Sequence, residues 1–439
     1  MKRTLSLLLA CALGLGLLSG CAPASAAKEL TAPKLSVTPS NSEEVNGALA
    51  GFGLELLKKS RDANGETAMN SDMDHVPFST LVSPLSVALA LSMTANGAAG
   101  NTLAQFQDVL GGGVDLVELN TACAQLMADY QGVGGSTKCA IANSLWVDPE
   151  GQIRDDFIGK CRGVFDAQVF SAELSDPGIV KDLNGWVSKH TNKMIPRIIN
   201  EPFNENTALL LVNALYLKNK WLYEFDPLAT YERVFHHEDG STSRMDFLSK
   251  HDTELSYING KGAQGVVLPY DDGRLAFFAL IPDERPEDGT PFTMNCTPTE
   301  LLGAWLYTLD GDSLTRLINN REDALFLSFA MPKFTAEWKG NLEEILPLLG
   351  LEDAFVPGAA DFSSLGDSPE GYYISQVIHA TKIEVNEKGT EAAAATVVAA
   401  ESGAAAPPQE GITLILDRPF LYGIVDLYTG VPLFLGTYE

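Results

Sequence analysis

Apolar residues first recur at helical spacing at Val45, Leu49, Phe52 and Leu56, a stripe that predicts an opening amphipathic helix from Glu43. The polar run over 62–74 reads as a loop. Leu81-Val82-Ser83-Pro84-Leu85-Ser86 then leads into a buried central helix over 87–94. Ser83 falls at its N-cap and Pro84 at its first position, where a missing N–H costs nothing. Leu103, Phe106 and Leu110, closed by Gly111, predict another helix. So do the patterns over 116–130 and 179–195, and shorter ones near 298–306 and 342–346. The strongest strand signal is the near-continuous apolar run over 208–217, expected of a strand covered on both faces. Further strands are expected over 140–147, which carries Asn143 and Trp146, and over 265–268, 275–281, 324–330, 374–385, 413–416, 421–426 and 432–436. Many strands with segregated helices and no internal repeat give an α+β class.

With 439 residues, 45% of them hydrophobic, the chain can bury a large core. Lys plus Arg at 30 against Asp plus Glu at 57 leave a net charge of −27, which argues against nucleic acid or anionic lipid as an electrostatically held partner. Lys2 and Arg3 precede an apolar stretch over 5–18, the layout of a secretory signal too short for a convincing membrane span. It closes on Leu18-Ser19-Gly20-Cys21, a tetrad that resembles a bacterial lipobox, so Cys21 is expected to carry lipid; the alternative is an ordinary signal cleaved near Ala24 to Ala27. The segments expected are therefore a signal and lipobox over 1–21, a flexible tether over 22–44 and one domain over 45–439. Cys123, Cys139, Cys161 and Cys296 show no metal spacing and read as free, mostly buried thiols.

The stretch Glu387 to Ala406, EKGTEAAAATVVAAESGAAA, resists a simple assignment. Its composition allows a surface helix or a low-complexity linker ahead of Pro407 and Pro408. Laid out as a strand, however, Thr390, Ala392, Ala394, Thr396, Val398, Ala400 and Ser402 share one small, uncharged face, while Glu391 and Glu401 fall on the other. Such a segment could be exposed in one state and a buried central strand in another.

Glu387-Lys388-Gly389-Thr390-Glu391-Ala392-Ala393-Ala394-Ala395-Thr396 closely resembles the reactive-loop hinge of the serpins. Asp417-Arg418-Pro419-Phe420-Leu421 and Pro432-Leu433-Phe434-Leu435-Gly436 resemble their carboxyl-terminal signature. The resemblance spans roughly residues 45–439. It implies three β-sheets, about eight to nine helices and an exposed reactive loop over about 387–411. It also implies a monomeric suicide inhibitor of a serine protease, with no catalytic residue and no cofactor of its own. Ser83, Ser86, Asn213 and His379 match the family's shutter, the polar cluster under the sheet where it parts. Trp221, Lys333 and Glu387 match the breach, where insertion begins. Without the family, Asn213 and His379 read as hydrogen-bonded core residues.

Other chemistry finds no support. There is no G-x-S-x-G elbow, H-E-x-x-H or P-loop, and adjacent His236 and His237 in a strand would point to opposite faces, so no shared metal ion is expected. The family places the cut bond about sixteen residues beyond Glu387, near Gly403-Ala404. Ser402, Gly403, Ala404, Ala405 and Ala406 would suit an elastase-like or subtilisin-like protease with a shallow apolar pocket. The limb over 407–419 is longer than usual for the family, which could place the bond further along. A non-inhibitory carrier is the alternative within the family; a solute-binding or hydrolytic lipoprotein is the alternative outside it.

Overall fold

The computed structural model describes residues 27–69, 79–237, 240–283, 298–390 and 411–439. Three sheets occur among them, of seven, nine and two strands. The seven-stranded sheet holds β1 (Lys28–Leu30), β2 (Lys138–Val147), β3 (Gln168–Ser171), β4 (Leu209–Lys220), β5 (Phe334–Asn341), β6 (Gln376–Asn386) and β7 (Gly389–Thr390), in the order β1-β3-β2-β4-β7-β6-β5. The nine-stranded sheet is continuous because one strand, Thr242–Gly260, runs through both its halves. Its mixed, alternating polarity hides it from a search for apolar runs. The described residues form eight α-helices: α1 (Glu43–Met69), α2 (Pro84–Ala95), α3 (Gly100–Gly111), α4 (Leu116–Gln131), α5 (Asp155–Val164), α6 (Gly178–His190), α7 (Pro298–Thr308) and α8 (Gly311–Asn319).

Strand β4 meets its expectation of cover on both faces. Leu209, Leu211, Leu215 and Leu217 enter the main core between the two large sheets, with α1 and α2. Leu210, Val212 and Ala214 pack on the opposite face with Ile179, Leu183 and Trp186 of α6. Each fully buried leucine contributes about 1.5–3 kcal/mol, so the body of β4 is anchored on both faces.

Four local expectations need correction. Of the loop expected over 62–74, residues 62–69 are helical, since α1 continues to Met69, and 70–74 lie outside the described residues. Its polar residues find partners across the fold: Arg61 pairs with Glu439 at 2.7 Å, and Asn64 donates to Thr80 at 2.9 Å. The helix expected over 342–346 is one turn, with Leu346 N–H bonded to Leu342 at 2.9 Å, followed by a 3₁₀ turn at Pro347–Leu349. Pro347 cannot donate to continue it. Helix α6 ends at His190, because the Thr191 hydroxyl takes the Val187 carbonyl at 2.8 Å and Asn192 and Lys193 turn to positive φ. Finally, within the stretch expected to trail as a tether, β1 pairs antiparallel with β3, and Leu35 N–H bonds Gly159 at 2.9 Å. The chain is therefore fixed to the sheet edge from Lys28.

Candidate functional site

Helix α2 starts beneath the seven-stranded sheet, and its first turn carries the polar cluster. Ser83 stands at the N-cap as expected, but its hydroxyl does not cap the helix; it donates to the Leu433 carbonyl at 2.8 Å. The Ser83 backbone N–H donates to His379 Nε2 at 3.0 Å. An acceptor at Nε2 requires the proton on Nδ1, which donates to Asn213 Oδ1 at 3.3 Å. Ser86 donates to the same oxygen, and Asn213 Nδ2 donates to the Ser86 carbonyl at 2.8 Å and to Asn143 Oδ1 at 2.6 Å. Ser83, Ser86, Asn213 and His379 are all buried, so the structure brings the four sequence-selected residues into one cluster. Burial alone pushes the His379 pKa down to about 3, which keeps the ring neutral. Asn143 on β2 is a member that sequence reasoning noted but did not assign. Its only signal was an amide in an otherwise small and apolar run.

The cluster sits where two strands meet. β6 pairs parallel with β4 from Gln376↔Leu210 to Ala380↔Ala214, and His379 faces Asn213 in that ladder. Beyond Ala380 the ladder stops. At the head of the sheet β7 enters between them, with Thr390 facing Val385 on one side and Asn219 on the other. No register pair among the described residues joins 215–218 to 381–384. The sheet is thus closed over 210–214 and 376–380 and parted at its head, leaving a slot whose entrance Gly389 and Thr390 of the hinge already occupy.

Residues around the slot's head hold that entry. Trp221 donates its indole N–H to the Asn386 carbonyl at 2.8 Å and stacks on Tyr270 at 4.9 Å. Its backbone N–H takes Lys388 at 3.0 Å, and Phe225 N–H takes Glu387 at 2.8 Å. Lys333 and the Thr230 hydroxyl each reach Glu387 Oε1 at 3.1 Å. Burial opposes the charge on Glu387, but hydrogen bonds from its own backbone, Lys333 and Thr230, with the Lys333 charge, hold its carboxyl below the usual range. Trp221, Lys333 and Glu387 are therefore brought together as expected. The lysine side chain is 40% exposed, so the pair contributes little to stability. Gly389 adopts φ +150°, and a Cβ there would lie 2.0 Å from the Asn219 carbonyl oxygen, so only glycine fits. Thr390 is 2% exposed, with its hydroxyl 2.5 Å from that of Tyr270. Tyr270 was not legible in the sequence, because nothing local marks a tyrosine that meets a residue 120 positions away.

Glu391, Ala392, Ala393, Ala394 and Ala395 of the hinge, the bond region Ser402, Gly403, Ala404 and Ala405, and Cys21 and Cys296 lie outside the described residues. Cys123, Cys139 and Cys161 are free thiols. Burial pushes the first two up to about 12 and the third higher still. His237 turns inward to Ser243 at 2.7 Å, and no group of metal-ligating side chains occurs among the described residues.

A family model described as "Serpin (serine protease inhibitor)" matches residues 48–439. Plasminogen activator inhibitor 1 of Neovison vison is 30% identical over 431 residues, covering 97% of each chain. Serpin-Z2B of Triticum aestivum is 32% identical over 389 residues, covering 84% of this chain and 92% of its own. Among solved structures, the native state of the thermophilic serpin tengpin superposes with a TM-score of 0.80 at 33% identity, covering 94% of this chain and 98% of its own. The latent state of that protein gives 0.72 at 31% identity, covering 91% and 99%.

Proposed function

Because the chain belongs to the serpin family of serine protease inhibitors, whose members are not enzymes, we propose that it traps a serine protease by a suicide route and is held outside the cytoplasm by lipid on Cys21. The observation that carries this reading is the half-open slot between β4 and β6. Its register can be continued from the pairs Thr390↔Val385 and Thr390↔Asn219. Six residues further on, Thr396 falls between His379 and Asn213. Those two residues already face one another across the ladder that insertion must open. Continued in that register, the small face from Thr390 to Ser402 (Thr390, Ala392, Ala394, Thr396, Val398, Ala400 and Ser402) points toward the main core, on the side of buried Thr390. Glu391 points the other way.

The protease's serine oxygen attacks a loop carbonyl, the peptide C–N bond breaks, and the amine leaves with a proton, giving an acyl-enzyme. Water would complete the turnover. Once cut, the freed limb can instead extend down the slot, gaining ladder hydrogen bonds on both edges. From Thr390 to a cut near Gly403 the limb spans roughly 45 Å at about 3.3 Å per residue, and the acylated protease is carried with it. Trapping is thus a race between insertion and deacylation, a kinetic stability stored in the uncut fold. The small residues from Ser402 to Ala406 support an elastase-like or subtilisin-like target. Lys2, Arg3, the apolar stretch and Leu18-Ser19-Gly20-Cys21 support the anchor.

Incubation with a panel of serine proteases, read on denaturing gels with mass measurement of the released carboxyl-terminal peptide, tests the assignment. A covalent complex with an elastase-like or subtilisin-like enzyme and a peptide starting near Ala404 are expected. Quantitative cleavage with no complex for every protease tried would overturn it.

A further inference from the structure

The turn Asp271 to Arg274 belongs to the nine-stranded sheet, joining its strands Ala263–Pro269 and Leu275–Pro282, yet its side chains grip the heads of strands in the other sheet. Asp271 accepts from the Ser136 N–H and hydroxyl, both at 3.0 Å, just before β2, and its own N–H bonds the Lys220 carbonyl at 2.9 Å. Asp272 Oδ2 accepts from the Thr137 hydroxyl at 2.7 Å and from Asn219 Nδ2. Its Oδ1 is fixed by the Arg274 and Leu275 N–H groups, each at 2.7 Å. The turn itself is immobilised by Arg274, which bonds Asp426 at 2.6 Å, a carboxylate with a side chain 0% exposed, and Asp129 at 2.8 Å.

Asn219, the residue Asp272 holds, is the register partner of Thr390, and its carbonyl oxygen is the atom that a Cβ on Gly389 would strike first. Where β7 enters, β4 and β6 must stand about 9–10 Å apart, twice the ordinary strand spacing. Below that point both strands present edges with no strand between them over 215–218 and 381–384, and such edges favour direct pairing. A strand free to move at its head would close on its neighbour and expel the hinge. We propose that Asp272 is a positioning residue for loop insertion: through Asn219 it clamps the head of β4 at the open spacing and keeps Gly389 and Thr390 seated. Insertion then starts from a register already set, and the sheet has only to open downward from a fixed end. The consequence for trapping rests on the inhibitory reading above; the seating of the hinge does not.

Asp272→Asn keeps the oxygen that accepts the turn's N–H groups but sets an NH₂ against the Asn219 amide donor. Adding Asn219→Asp restores a donor–acceptor pair with reversed polarity. Hydrogen exchange of the 387–390 segment, measured without protease, should quicken about tenfold or more in Asp272→Asn and return toward wild type in the double variant. With a protease that the wild type traps, Asp272→Asn should be cut at the wild-type acylation rate but need several times more inhibitor per protease inactivated, and the double variant should recover. Unchanged exchange in folded Asp272→Asn, or no recovery in the double variant, overturns the proposal. A wild type that traps no protease, with the exchange pattern as expected, counts against the inhibitory reading alone.

Discussion

Acidification tests the polar cluster through one proton. His379 Nε2 already accepts the Ser83 N–H, so a proton arriving there faces a donor in a site with no counter-ion bonded to the ring. Burial holds the folded pKa at about 3 against an ordinary value of 6.5. The unfolded chain takes the proton first, so the contribution is complete above pH 6.5 and lost as pH falls toward 3. At pH 5, about 1.5 units below the ordinary value and at about 1.36 kcal/mol per unit, the native state loses about 2 kcal/mol. His379→Gln isolates this loss, because glutamine can accept from Ser83 and donate to Asn213 without titrating. Unfolding of the uncut protein should be followed at matched scan rate at pH 7.5 and pH 5.0 in both forms. The wild type should lose about 2 kcal/mol more than His379→Gln over that range. Spontaneous decay of inhibitory activity should quicken at pH 5 in the wild type only, since the same hydrogen bonds tie β6 to β4. Parallel pH dependence in the two proteins would refute the neutral, Nδ1-protonated histidine.

Thr390→Arg forces a charge into a 2%-exposed position against Tyr270, at a penalty of several kcal/mol. It should turn inhibitor into substrate, cut at the same bond with little covalent complex, while Glu391→Arg retains inhibition; equal loss in both would show the parity to be wrong. Gly389→Ala meets the Asn219 carbonyl and an unfavourable φ, so it should destabilise the uncut form by about 1–3 kcal/mol in thermal unfolding, and no change would show the close approach to be unimportant. Cys21→Ser should abolish lipid labelling and move the protein out of the membrane fraction; membrane association persisting in a correctly processed variant refutes the anchor.

The sequence made some residues legible by contrast. Asn213 and His379 stand out as polar residues in apolar strands, and the hinge stands out because its small residues alternate with period two. Pairing across the fold was legible only through the family resemblance, which joined Lys333 to Glu387. The partners it did not supply lie on other strands or loops: Thr230 and Tyr270 carry no local mark, and Asn143 shows only an amide in a small, apolar run, which does not say what it meets. Polarity misled where polar groups are satisfied at a distance, as in the last turns of α1 and in the strand Thr242–Gly260. At 342–346 the apolar spacing was sound, but Pro347 limits it to a single turn.

Insertion into the slot is measured most directly on the protein cut once between Ala399 and Ala406, by thermal unfolding together with hydrogen exchange over 215–218 and 381–384. The cut protein should melt well above the intact one, and the amides aimed into the slot should gain protection as a new strand pairs with both edges. A melting temperature equal to or below that of the intact protein, with those amides unprotected, would contradict insertion and leave the slot without the role assigned to it.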